Sequence, residues 1–207
     1  MGPGGDCTRC GRLVAYRQKM RREIPDGHNA PVSAFGELDA KLLVVGLAPG
    51  RLGANRSGRP FTGDYAGDLL YSSLLGVGLA QGHYRAVPDD GLELKATRIT
   101  NAVRCLPPGN QPTTQEIATC NGFLAAEIAA MGKLKVVLAL GLIAHKAVLR
   151  ALGLKQSFCP FLHGAQHRLP GGPILADSYH CSRYNTNTGR LTEAMFLAVL
   201  EGIVDEL

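Results

Sequence analysis

Asp64, Asn110 and His180 each stand in a polar, glycine-rich stretch, and a carboxylate, an amide and an imidazole are a workable set for acid–base chemistry. Asp64 closes the segment Asn55-Arg-Ser-Gly-Arg-Pro-Phe-Thr-Gly-Asp64, which follows Gly46-Leu-Ala-Pro-Gly50. That stretch offers backbone amides, the flat apolar ring of Phe61 and one carboxylate. No Gly-Lys-Ser/Thr follows its glycines, so it is not a Walker phosphate loop. Asn110 ends Pro107-Pro108-Gly109-Asn110, a composition that elsewhere makes a plain turn. His180 opens His180-Cys-Ser-Arg-Tyr-Asn-Thr-Asn-Thr-Gly-Arg190, with hydroxyls, amides and two arginines. Neither a serine nucleophile elbow nor an HExxH zinc helix accompanies them. Together they can clamp a flat polar heterocycle: stack it, hydrogen-bond its edge and position a water. A blander reading stands beside this one, since an Asp before a helix is a common N-cap and a lone His at a strand end is more often structural.

The cysteines are the second chemically suggestive set. Cys7-x-x-Cys10 is a tight pair, and Cys105 and Cys120 form a looser one with fourteen residues between them. Cys159 and Cys181 stand alone. The N-terminus lacks the basic and apolar segments of a secretory signal, which points to the cytosol, where paired cysteines suggest a metal or redox site rather than disulfides. Spacing alone leaves an iron–sulfur cluster, a Cys₄ zinc site and unrelated buried cysteines all open, although a zinc ribbon prefers two CxxC knuckles.

These groups need a scaffold, and the hydrophobic pattern supplies one. Lys41-Leu-Leu-Val-Val-Gly46, residues 98–104, Lys135-Val-Val-Leu-Ala-Leu-Gly141 and residues 174–179 read as four strands. Helical patterns fall at 11–22, 65–79, from Thr113 to about Met131, after Gly141 to Leu152, and at 191–207; Thr113 with Glu116 makes a capping box. Strands alternating with helices predict an α/β fold with a largely parallel sheet. Ligands bind outside the carboxyl ends of such strands, where segments 46–64, 104–113 and 180–190 fall.

At 207 residues the chain is expected to be one domain, with residues 1–6 as a tail. Hydrophobic residues at 45% and charged residues at 19% exclude disordered and fibrous classes, and no apolar run is long enough for a membrane span. The net charge is +5, with Arg9, Arg12, Arg17, Lys19, Arg21 and Arg22 crowded near the start. This balance suits a polyanion but does not by itself demonstrate one.

Four segments in order resemble the type-5 uracil-DNA glycosylases: Cys7-Thr-Arg-Cys10-Gly-Arg-Leu-Val, residues 46–64, residues 103–113 and residues 178–192. The resemblance runs from about Cys7 to Leu207. It implies a three-layer α/β/α sandwich around a four-stranded, mainly parallel sheet, and a monomer that acts on DNA containing uracil or other deaminated bases. It also implies a [4Fe–4S] cluster on Cys7, Cys10, Cys105 and Cys120, structural in role, with Cys159 and Cys181 outside it.

Carried over residue by residue, the resemblance has Phe61 stack on a flipped base and Gly46, Ala48 and Gly50 shape the backbone against it. Asp64 would position or activate the attacking water, Asn110 assist that water or the base, and His180 donate toward the base carbonyl. Ser182, Arg183, Asn185 and Arg190 would hold phosphates or wedge the duplex. Leu47 and Ala48 stand where other branches carry an acid, leaving Asp64 as the carboxylate. Gly50 replaces a tyrosine that excludes the thymine methyl in classical enzymes, so a roomier pocket and substrates such as hypoxanthine and xanthine are expected. Asn101, at a position commonly small in this branch, is either a satisfied strand-end amide or an added base reader. The competing expectations are a catalytically weak binder of uracil or abasic DNA on the same fold, and a nucleotide-binding iron–sulfur redox protein, for which no dinucleotide glycine fingerprint exists.

Overall fold

The computed structural model describes residues 2–207 and has seven strands and seven α-helices, among them the four strands and five helices that the hydrophobic pattern predicts. Met1, part of the expected tail, lies outside the described residues. The strands are β1 (Leu42–Gly46), β2 (Ala80–Gln81), β3 (Glu93–Leu94), β4 (Thr97–Asn101), β5 (Val136–Leu140), β6 (Gln166–Arg168) and β7 (Ile174–Ser178). The helices are α1 (Gly11–Glu23), α2 (Ala54–Ser57), α3 (Tyr65–Gly76), α4 (Thr114–Ala130), α5 (Leu142–Ala151), α6 (Arg183–Asn187) and α7 (Glu193–Val204).

The main sheet has the order β4-β1-β5-β7-β6; its first four strands are parallel and β6 is antiparallel to β7. It therefore has five strands rather than the four expected. The extra one is Gln166-His167-Arg168, a short polar edge strand with no apolar run to betray it. β2 and β3 pair in a small separate hairpin.

Side chains of a strand alternate between faces, and here that alternation builds two cores. Leu42, Val44, Leu138 and Leu140 pack with Leu70 and Leu74 of α3 and with Phe196, Leu200 and Ile203 of α7. Leu43, Val45, Val137 and Ala139 face the other way, onto Leu124 and Ile128 of α4 and Val148 and Leu149 of α5. The result is the expected three-layer α/β/α sandwich. The capping box forms as the sequence predicts: Thr113 Oγ1 accepts from the Glu116 amide at 3.2 Å, and Glu116 Oε2 accepts from the Thr113 amide at 2.8 Å. Glu116 also pairs with Arg12 at 2.6 Å, tying α1 to α4. None of the helices among the described residues is long and apolar enough to cross a membrane.

Candidate active site

Strands β1 and β4 lie side by side with Gly46 opposite Asn101, so both chains leave the sheet at the same edge. β7 leaves at that end too and delivers His180 two residues later. The loops that follow enclose a crevice of about 520 Å³ lined by Ala48, Gly50, Phe61, Asp64, Asn101, Asn110, His180, Ser182 and Arg183. Three segments distant in sequence thus meet in one concavity, of a size suited to a small ligand. Leu47, Leu52 and Tyr65 also line it. Gly46 sits behind the wall instead: a Cβ there would lie 2.5 Å from both Asn101 Oδ1 and the Phe61 ring, so glycine is what lets these two side chains close over the strand end.

Asp64 is a helix cap that also opens onto the crevice. It is the N-cap of α3, with Oδ1 accepting from the Gly67 amide at 3.1 Å. Its other oxygen faces Gly50 and Gly53; a Cβ at Gly50 would sit 3.0 Å from Oδ2, and one at Gly53 would overlap the carboxylate. Gly50 was expected to enlarge the pocket, and its contact is with this oxygen. Gly53 was not singled out from sequence; only the carboxylate folded back over it reveals its part. Burial raises the Asp64 pKa, and the Gly67 amide offsets part of that rise.

The loop carrying Phe61 and Asp64 is strained and firmly held. Phe61 has φ 53° and Gly63 φ 94°, and the left-handed region is costly for a bulky residue. Buried Arg59 donates to both Asp90 oxygens at 2.8 Å and, through Nε, to Thr62 Oγ1 at 2.7 Å. Its guanidinium lies 5.0 Å from the Phe35 ring centre and 5.4 Å from that of Tyr71. Tyr71 Oη donates to the Pro60 carbonyl at 2.7 Å, and Tyr84 Oη donates to that of Phe61 at 3.2 Å. Arg59 holds the Asp90 carboxyl far below the usual carboxylate range. Nothing in the sequence flags Asp90, which lies 31 residues downstream of its partner.

His180 stands across the crevice from Phe61, their ring centres 6.0 Å apart and tilted by 30°. Burial pushes its pKa down to about 4, so the imidazole is neutral near pH 7. Asn185 Nδ2 donates to the His180 carbonyl at 2.8 Å and thereby braces this residue. Asn101 is buried and opens onto the crevice. Asn110 is exposed and lines the crevice with φ 57°, a conformation asparagine tolerates better than most residues.

Beyond the rim, Ser182 caps α6, accepting from the Asn185 amide at 3.4 Å. Arg183 lies over the Tyr65 ring at 5.4 Å and Arg190 over Tyr179 at 4.5 Å. Exposed Tyr184 projects beside them. Several of the cations near the start of the chain have partners within the protein. Arg12 pairs with Glu116, Arg21 with Asp6 at 2.7 Å, and Lys19 with Glu23 at 3.5 Å. Arg9 stacks on Phe123, and Arg17 is buried. Most of that charge is therefore spent within the fold.

Cys7, Cys10, Cys105 and Cys120 line one small, largely apolar cavity between α1, α4 and the segment after β4. Among the described residues, no three of their sulfurs close to within 4.8 Å of one another. Burial pushes the Cys105 thiol up to about 11 and raises those of Cys10 and Cys120. Arg17 lines the same cavity; one of its nitrogens donates to the Cys7 carbonyl at 3.1 Å, while Nε and Nη1 are buried without partners. Cys181 lies apart, fully buried in the main core, and Cys159 packs against the other.

Comparison with known proteins adds the lineage. Residues 33–203 match the family model of the uracil DNA glycosylase superfamily. A type-5 uracil-DNA glycosylase of Thermus thermophilus is 46% identical, the match covering 94% of this chain and 90% of that protein. One from Pyrobaculum aerophilum is 41% identical, over 94% and 86% of the two chains. A type-4 uracil-DNA glycosylase from the same archaeon is 32% identical, over 79% and 81%. With the sheet, the crevice and the sequence in agreement, the chain belongs to the uracil DNA glycosylase superfamily, in its type-5 branch.

Proposed function

We propose that the protein is a monofunctional DNA glycosylase of base excision repair. It would hydrolyse the N-glycosidic bond of uracil, and of other deaminated bases such as hypoxanthine and xanthine, and leave an abasic site. The observation that carries this reading is the Asp64 carboxylate. One oxygen is fixed by the cap of α3, while the other is kept clear by two glycines on a crevice large enough for an extruded base. That same feature favours catalysis over mere retention of damaged DNA, for which no ionised group at this point would be needed.

In this mechanism the flipped base stacks on Phe61, and the buried amide of Asn101 reads its edge. Asp64 holds a water against the anomeric carbon, and its charge stabilises the oxocarbenium-like sugar. His180, neutral, donates a hydrogen bond to the base carbonyl as negative charge accumulates on the leaving group. Asn110 reaches in from the rim to steady the water or the base. Ser182, Arg183 and Arg190 take the flanking phosphates, and Asn185 acts through the His180 backbone it braces. A lyase step would require an amine nucleophile, and no lysine lines the crevice.

The four cysteines suit a [4Fe–4S] cluster. A zinc ribbon prefers two tight CxxC knuckles, and only Cys7-x-x-Cys10 is one here. Four thiolates in an apolar cavity call for a compensating cationic core, and the unpartnered nitrogens of Arg17 offset the remaining negative charge. Such a cluster would supply cross-linking, pinning α1 to α4 and to the loop that leads to Asn110. The purified protein would then be brown, with about four irons per chain.

The deciding experiment incubates the protein with duplexes carrying uracil, hypoxanthine or xanthine and treats the products with alkali. Strand breaks that appear only after alkali support the proposal. Breaks without alkali, or a borohydride-trapped covalent adduct, would contradict the monofunctional reading. Intact strands would contradict the glycosylase reading itself.

A further inference from the structure

A second group of ligating side chains lies outside both the crevice and the cysteine cavity. His145 of α5, His167 of β6 and Asp177 of β7 each offer a donor atom, and these atoms all lie within 4.8 Å of one another. His145 and Asp177 are almost fully buried. The two imidazoles flank one carboxylate: His145 Nδ1 is 2.8 Å from Asp177 Oδ1, and His167 Nε2 is 3.3 Å from Oδ2. The rings stand at 77°, with centres 5.9 Å apart.

The hydrogen bonding around the group narrows what belongs between these atoms. His145 Nε2 lies 3.1 Å from the Cys159 carbonyl. A carbonyl only accepts, so Nε2 carries a hydrogen, and in the neutral ring Nδ1 then presents its lone pair toward the carboxylate. Fixing one ring nitrogen on a carbonyl so that the other is free to ligate is the usual outer arrangement of a metal-binding histidine. On the far side, His167 Nε2 is buried and has no hydrogen-bond partner. A lone pair of His145 aimed at a carboxylate, with a second buried ring nitrogen 3.3 Å from its other oxygen and lacking a hydrogen-bond partner, calls for a cation among them.

We propose that His145 Nδ1, His167 Nε2 and the Asp177 carboxylate form a binding site for a divalent transition-metal ion of the zinc class. Two imidazoles with one carboxylate suit zinc and its neighbours rather than calcium or magnesium, which prefer oxygen donors throughout. The loop between α5 and β6 has no long secondary structure of its own and is tied to the same aspartate. The Leu162 amide points at Asp177 Oδ2 at 3.4 Å, and the Gly164 amide donates to the Asp177 carbonyl at 2.8 Å. The ion would staple that loop and the edge strand β6 to β7, just upstream of the turn that carries His180.

The test uses the intact, iron-loaded protein with zinc alone as the probe. After chelator treatment mild enough to leave the iron count unchanged, zinc titration should return about one equivalent per chain. His167→Gln, a change on a partly exposed edge strand, should weaken that binding by at least about 10²-fold with iron content unaltered. Zinc-edge X-ray absorption of the wild-type protein gives a readout that needs no variant. Nitrogen and oxygen neighbours at ~2.0–2.1 Å are expected, and no sulfur at ~2.3 Å. A sulfur shell, or equal zinc uptake by His167→Gln, would assign the metal to the cysteines and overturn the proposal. An absence of zinc binding by wild-type protein would overturn it as well, leaving a proton-bridged imidazole–carboxylate network.

Discussion

Burial moves the two titratable groups of the crevice in opposite directions, and the pH profile should carry both marks. His180 titrates near 4 in the folded chain, whereas the ordinary imidazole titrates near 6.5. Asp64 moves upward from 3.8. If the reaction needs neutral His180 and ionised Asp64, the single-turnover rate should show no histidine inflection between roughly pH 6 and 8. It should fall on the acid side through a carboxylate whose pKa lies above the ordinary value. A rate that climbs through pH 6.5 would instead mean a solvated histidine and contradict the burial argument. Stability follows by linkage. Between 6.5 and about 4 the unfolded chain takes up a proton at His180 that the folded chain refuses, so this residue lowers stability as the pH falls through that window. At this scale the sequence was readable for residue types and poorly readable for their partners. Asp64 was legible both as a cap and as a crevice carboxylate because both readings follow from its place between loop and helix. Gly53, by contrast, has meaning only once the carboxylate is seen folded over it.

The element that positions the chemistry is the loop from Arg59 to Asp64, and its rigidity rests on a partner from another segment. The side chains of Arg59 and Asp90 are 6% and 0% exposed, so this pair is effectively solvent-free. Removing one charge leaves the other buried and unpaired, which costs about 3–5 kcal/mol. Asp90→Asn should therefore lower the unfolding free energy extrapolated from urea titration by an amount in that range, moving the midpoint down, and it should slow base excision because Phe61 loses its forced backbone. An unchanged midpoint would mean that the aromatic rings around Arg59 suffice. The amphipathic helices were legible from their apolar period, and strands β1 and β5 from short, fully apolar runs that end at glycine. The edge strand β6 and the hairpin of β2 and β3 were not, since three polar residues or two pairs of residues carry no period at all. Their pairing is dictated by tertiary contact.

The basic composition of the whole molecule points to a polyanion, yet the structure redistributes where that charge is available. Arg12 and Arg21 are committed to ion pairs within the protein, whereas Arg183 lines the crevice and Arg190 lies over Tyr179 in the segment that follows His180. The affinity for abasic duplex should fall steeply with salt, and Arg183→Ala or Arg190→Ala should each reduce the slope by about one. Arg12→Ala should leave that slope unchanged and loosen α1 instead. Equal slopes for all three variants and the wild type would remove the electrostatic part of the account. The three-layer architecture and the meeting of three loops were foreseeable from strand–helix alternation, because ligand crevices of such sheets lie at the strand ends. The internal use of the α1 charges was not foreseeable, since it depends on where α4 and the N-terminal residues dock. The most direct test of the central claim is single-turnover uracil excision by the folded, iron-loaded Asp64→Asn protein. That change preserves the cap of α3 and nearly the same volume while removing the charge and the basic lone pair, so a loss on the order of 10²-fold or more is predicted. Excision at the wild-type rate would reduce Asp64 to a helix cap and contradict the account.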